Sequence, residues 1–150
     1  MKERIASVRW PNAIIVTGVV LLIGMAAGAQ EAATTVWAGV YTEAQATRGE
    51  EGYLKDCAPC HRKDLYGDEY APALVRRTFS DRWTDHSVGE LYGVIRSTMP
   101  QDAPGTLPTQ EYIDIISYVL KMNQMPAGRT DLPSDQAMLK QIMIRQKPRP

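Results

Sequence analysis

Apolar residues follow several different patterns along this chain, and each pattern predicts a different element. The longest apolar run, 13–27, is almost unbroken; Lys2, Arg4 and Arg9 precede it and the small residues Ala27-Gly28-Ala29 close it. A basic start, an apolar middle and an Ala-x-Ala junction describe a signal peptide cleaved after Ala29, which makes Gln30 the new N-terminus. The run is shorter than the roughly 20 residues of a membrane-spanning helix, so retention as an anchor is the weaker alternative. Residues 30–41 show no period. Thr42 with Gln45 three residues later has the form of a capping box and opens a helix running toward Cys57, with Ala46, Gly49 and Tyr53 on one face. Gly49 costs a helix stability, so its presence predicts a close contact with another helix.

Residues 62–85 have no sustained period and read as an ordered loop with single large residues: Tyr66, Tyr70, Leu74, Phe79 and Trp83. Such a long loop inside a small domain is uncommon without a function, and wrapping a cofactor would be one. Ser87 and Glu90 form a second capping box before Val88, Leu91, Tyr92 and Ile95, a helical stripe that ends at Met99-Pro100. After a Pro-containing loop, Thr109 caps a helix reaching about Met122. It has two stripes, one of Tyr112, Ile113, Ile116, Val119 and Leu120, the other of Ile115, Tyr118 and Met122. Two apolar faces need two covers. Residues 126–133 read as a linker, and Ser134 as the start of a last helix carrying Met138, Leu139, Ile142 and Met143, too short to persist unless packed. The expected organisation is all-α, with three to five helices: a leader 1–29, a domain 30–125, and an extension 126–150 whose helix packs on the domain.

The 150 residues suffice for one domain and little more. Loss of the leader removes three basic residues and one acidic residue from seventeen of each, leaving a net charge of −2. That balance gives no reason to expect a nucleic-acid partner, and it would make the membrane a partner only if the leader were retained.

The cysteine count changes the picture most. There are two, Cys57 and Cys60, and His61 follows at once. Cys57-Ala58-Pro59-Cys60-His61 has the form C-x-x-C-H, the attachment signature of haem c. Thiols three residues apart on one turn can each add to a vinyl group on the same porphyrin edge, and the next residue then presents an imidazole to the iron. A disulfide would use the same cysteines but has no need of His61. A thioredoxin-like pair needs a βαβ setting. A zinc site needs four ligands, and Cys57, Cys60, His61 and His86 lack zinc-finger spacing.

With these residues the chain resembles the single-haem class I bacterial cytochromes c, in particular those that serve periplasmic, quinoprotein-type dehydrogenases. The resemblance spans about residues 42–144. It rests on Arg48-Gly49 and Tyr53 before the C-x-x-C-H motif, Ala71-Pro72-Ala73-Leu74, Phe79, Trp83, Thr98-Met99-Pro100, Glu111-Tyr112-x-Asp114-Ile115 and Pro126-Ala127-Gly128. It implies a cytochrome c fold around one covalent haem c, with His61 as proximal and Met99 as distal iron ligand. It also implies that the Pro72 carbonyl accepts from His61. Met99 has support of its own, because it ends a helix in a loop stiffened by Pro100, Pro104 and Pro108. His86 is the rival ligand, and an open iron the third possibility. Trp83, Tyr70, Arg76 and Arg77 could bind haem propionates; otherwise the aromatics are core and the arginines a solvated face. A closed His/Met iron implies a periplasmic electron carrier and not an enzyme. Its redox partners would be a dehydrogenase as donor and an oxidase or another cytochrome as acceptor. The alternatives are a subunit of a dehydrogenase complex, or a haem enzyme or sensor with an open distal site.

Overall fold

The computed structural model describes residues 34–149; the leader and its cleavage junction, read at 1–29, lie outside them. Within this range the chain forms β1 (Thr34–Thr35), a 3-10 turn (Val36–Ala38), then α1 (Glu43–Asp56), α2 (Ala58–His61), α3 (Arg76–Trp83), α4 (Val88–Thr98), α5 (Thr109–Met122), α6 (Gln136–Lys140) and β2 (Ile142–Met143). The fold is all-α around one apolar core, as the periodicities predict, but it has six helices among the described residues instead of three to five, because the short α2 and α3 carry no apolar period of their own.

The core is organised by the packing of α1 on α5. Buried Ala46, Gly49, Gly52 and Tyr53 recur every three or four residues along α1, the spacing that keeps side chains on one helical face. At Gly49 the backbones meet: a Cβ there would run into the carbonyl of Asp114. The Arg48 guanidinium closes the crossing by donating to Asp114 at 3.0 Å, and Gln110 donates to the same carboxylate at 2.7 Å. Both stripes of α5 are covered as far as Leu120, residues 112–120 being all buried, while Met122 at the end of the second stripe is exposed.

Three helix starts behave differently. Ser87 and Glu90 close a full capping box on α4. Thr42 accepts from the Gln45 amide at 3.1 Å, yet the Gln45 side chain does not return to the cap. It is buried and exchanges two bonds with the Leu132 backbone, donating to the carbonyl at 3.1 Å and accepting from the amide at 2.6 Å. On α5 the expected Thr109 cap is replaced by Pro108, with no side-chain cap bond. The proline ring holds its φ near the helical value, and its carbonyl accepts from Glu111 at 3.0 Å.

Two further expectations are corrected. The stretch 62–85 is not loop throughout, because α3 occupies its last third. Val75, Phe79 and Trp83, four apart and all buried, supply one apolar residue per turn among polar neighbours, a stripe too narrow to stand out as a period. The last helix begins after an Asp135 cap and lasts five residues. Ile142 and Met143 are not on it; they form β2, parallel to β1, with Thr34 opposite Ile142 and Thr35 opposite Met143. Ile144 continues the pairing, donating to His86 at 2.8 Å and accepting from Asp85 at 2.9 Å. Ile142 and Ile144 are buried while Met138 is 55% exposed, so period two prevails over the helical stripe. The stretch 126–133 is also pinned: the Gly128 amide donates to Tyr41 at 2.6 Å and Leu132 is buried.

The α4 cap is sensitive to acid. Bonds from the Ser87 amide and hydroxyl, with a smaller contribution from His86, lower the Glu90 carboxyl from 4.5 to about 2. A carboxyl more acidic in the folded than in the unfolded chain stabilises the fold above its unfolded value, and this contribution is lost as pH falls toward the folded value. Denaturant midpoints of wild type and Glu90→Gln should therefore differ at about pH 6, and the gap should narrow between 4.5 and about 2. A gap independent of pH would show that the charge plays no part in the cap.

Candidate haem-attachment site

Cys57 is at once the C-terminal cap of α1 and the N-terminal cap of α2. Its amide donates to Tyr53 at 2.9 Å, and its carbonyl accepts from Cys60 at 3.2 Å and from His61 at 2.9 Å. The five residues thus close one turn, with Pro59 in its opening positions, where the missing N–H has no partner to lose. Arg62, at φ 64°, ends the turn. Both thiols are unpaired; Cys57 is half-buried and Cys60 exposed.

The His61 side chain is only 7% exposed, and its Nδ1 lies 2.9 Å from the Pro72 carbonyl. A carbonyl only accepts, so Nδ1 carries a proton, and in the neutral ring the lone pair is on Nε2. Such an outer bond fixes the ring orientation of a ligating histidine. The loop that delivers Pro72 is cross-tied. Gly67 donates to the His61 carbonyl at 3.1 Å, Asp68 to Ala71 at 2.9 Å and Leu74 to Leu65 at 2.8 Å. The Asp68 carboxylate accepts from the amides of Tyr70 and Ala71, which lowers its pKa. Gly67 has φ 62° and its Cα faces the Ala71 and Pro72 backbone without room for a Cβ; glycine alone meets both demands at little cost.

Burial pushes the Cys57 thiol up to about 12, helped by the charges of Asp56 and Glu111. A thioredoxin-type nucleophile needs a lowered thiol pKa, so this cysteine has the opposite character. Among the described residues no three His, Cys, Asp or Glu side chains gather to hold a metal ion, which leaves the four-ligand zinc reading without a cage. What remains are two free thiols on one turn beside an imidazole with a free nitrogen, a donor set that fits haem c.

The other expected residues come from separate elements. Met99, half-buried, ends α4; its amide donates to Ile95 at 2.8 Å and its carbonyl accepts from Tyr112 at 2.7 Å. Trp83 is buried at the end of α3, edge-on to His86 at 5.9 Å. Tyr70 is 87% exposed, which rules out the core-aromatic reading for it. Arg76 lies over the Tyr66 ring at 5.3 Å and bonds to its hydroxyl, and Arg77 pairs with Asp81 at 3.2 Å. His86 is exposed, with Nδ1 3.3 Å from Glu90. The hydroxyls of Tyr53 and Tyr112 are not legible in the sequence: both residues fall on helix stripes, and nothing local marks which carbonyl a buried phenol will reach.

An all-α domain built around a C-x-x-C-H turn defines a c-type cytochrome, a haem c electron-transfer protein. Residues 44–119, just over half of the chain, match the family described as cytochrome c oxidase, cbb3-type, subunit III, and the chain belongs to that family. No curated protein and no solved structure matches the chain.

Proposed function

We propose that the chain is a periplasmic, mono-haem cytochrome c that passes single electrons between redox proteins through an iron held by His61 and Met99. The observation that carries this reading is the single turn bearing Cys57, Cys60 and His61, with the imidazole tied to Pro72 so that Nε2 is the free donor. When bound, haem c supplies an iron that cycles between ferric and ferrous states. Cys57 and Cys60 would hold the group through thioethers, and His61 and the Met99 sulfur would be the protein's ligands to its iron. A thioether ligand favours the ferrous state, so this pair raises the potential above that of two histidines. With both positions filled, no iron site is left for a substrate, which makes the protein a carrier and not an enzyme. Trp83 stands as a hydrogen-bond donor for a propionate. His86 is less suited as distal ligand, being on the surface with Glu90.

The partners follow from the same chemistry: a dehydrogenase-type donor and an oxidase or second cytochrome as acceptor, meeting the carrier through small and weak contacts. The leader read at 1–29 supports export, with cleavage after Ala29. No helix among the described residues is long and apolar enough to cross a membrane.

The test is a cyanide titration of the ferric protein, wild type against Met99→Ala, with oxidised and reduced visible spectra. Wild type should resist cyanide, and the variant should bind it readily and have a lower potential. Equal resistance in the two would move the distal ligand away from Met99. Ready binding by wild type would revive the open-site enzyme or sensor.

A further inference from the structure

Two buried phenols donate to backbone carbonyls beside the two ligand-bearing side chains. Tyr53 of α1 reaches the carbonyl of Arg62, one residue past His61, at 2.7 Å. Tyr112 of α5 reaches the carbonyl of Met99 itself, also at 2.7 Å. Neither tyrosine is more than 1% exposed, and the helices that carry them are the pair locked together at Gly49 and Asp114. The positions of the two hydroxyls are therefore set by the most closely packed part of the fold.

The consequence is sharper on the Met99 side. Its amide already donates to Ile95 at 2.8 Å, so both backbone polar groups of Met99 are held, one by α4 and the other by α5. Tyr112 is itself braced, edge-on to Tyr92 at 6.3 Å. Methionine reaches its sulfur through three rotatable side-chain bonds, and a backbone held at both its amide and its carbonyl fixes the point from which that side chain reaches.

We propose that Tyr112 is a positioning residue for Met99: its hydroxyl ties the Met99 carbonyl to α5 and so keeps the thioether from swinging off the iron. The proposal rests on Met99 being the distal ligand. A phenylalanine at 112 would fill the same volume and lose only the tie. A neutral hydrogen bond of ordinary net strength corresponds to roughly two- to tenfold in an equilibrium, and the open, ligand-accessible state should become more populated by that factor.

The experiment compares cyanide binding to ferric wild type, Tyr112→Phe, Tyr41→Phe and Met99→Ala, all carrying covalent haem. Tyr41 donates to the Met125 carbonyl at 2.6 Å, so its phenylalanine variant loses a bond of the same kind away from Met99. Tyr112→Phe should keep the wild-type visible spectrum yet bind cyanide roughly two- to tenfold faster, while Tyr41→Phe binds it at the wild-type rate. Met99→Ala calibrates the unobstructed rate, and if it binds no faster than wild type the ligand assignment falls and the proposal with it. If Met99→Ala is fast while Tyr112→Phe matches wild type, or if Tyr41→Phe accelerates as much as Tyr112→Phe, the positioning role is overturned and the ligand assignment stands.

Discussion

Gly49→Ala should destabilise the domain by about 3 kcal/mol, near the upper end of what overpacking costs, whereas the same exchange at Gly93 should stabilise it by about 0.5–1 kcal/mol. The two glycines differ in what a methyl group would meet. At Gly49 the obstacle is the Asp114 carbonyl of α5, backbone that no rotamer change can move. The helices would have to separate, which also loosens the Arg48–Asp114 pair at 3.0 Å. Gly93 lies inside α4 with nothing within 4 Å of an added Cβ, so alanine there only improves helix propensity. Chemical denaturation of both variants and of wild type measures the difference. Similar midpoints for the two variants would mean that the α1–α5 crossing yields easily and does not define the core. A loss of about 3 kcal/mol is a large share of the 5–15 kcal/mol typical of a domain.

The second large effect concerns attachment. Wild type, coexpressed with haem-attachment machinery, should keep its colour on the polypeptide after full denaturation. Cys57→Ala/Cys60→Ala should lose all of it. Each single variant should retain haem through the remaining thioether, with Cys57→Ala the more damaging to stability because that side chain is the half-buried one. Haem released from denatured wild type would sink the covalent reading altogether. The high pKa of Cys57 adds a chemical expectation. At neutral pH it should react slowly with thiolate-specific reagents in the haem-free chain, because the thiolate is the reactive species.

How far the sequence could be read depended on where each residue's partners lie. The Ser87 cap was legible because both halves of the box fall within four residues, and the two stripes of α5 because burial on both faces leaves few polar positions. The C-x-x-C-H turn was legible for the same reason: its geometry is closed by local bonds to the Cys57 carbonyl. Gln45 misled, since its spacing from Thr42 fits a capping box while its amide is engaged by Leu132, 87 residues away. Ile142 and Met143 misled in the same way: helical spacing from Met138 suggested a stripe, but pairing with Thr34 and Thr35 decided the conformation. The bonds from Tyr53 to Arg62 and from Tyr112 to Met99 depend on the helix crossing, and no local pattern announces them.

The short pairing of β1 with β2 also has a mechanical side. In a parallel pair, the chain arriving at Thr34 and the chain leaving past Ile144 point away from each other along one axis. A pull applied through the two ends therefore loads the strand bonds together, in shear, and does not peel them one at a time. The bonds between Ile144 and the segment at Asp85 and His86 share that load. Tension on the ends would load this seam before the turn at Cys57 or the end of α4.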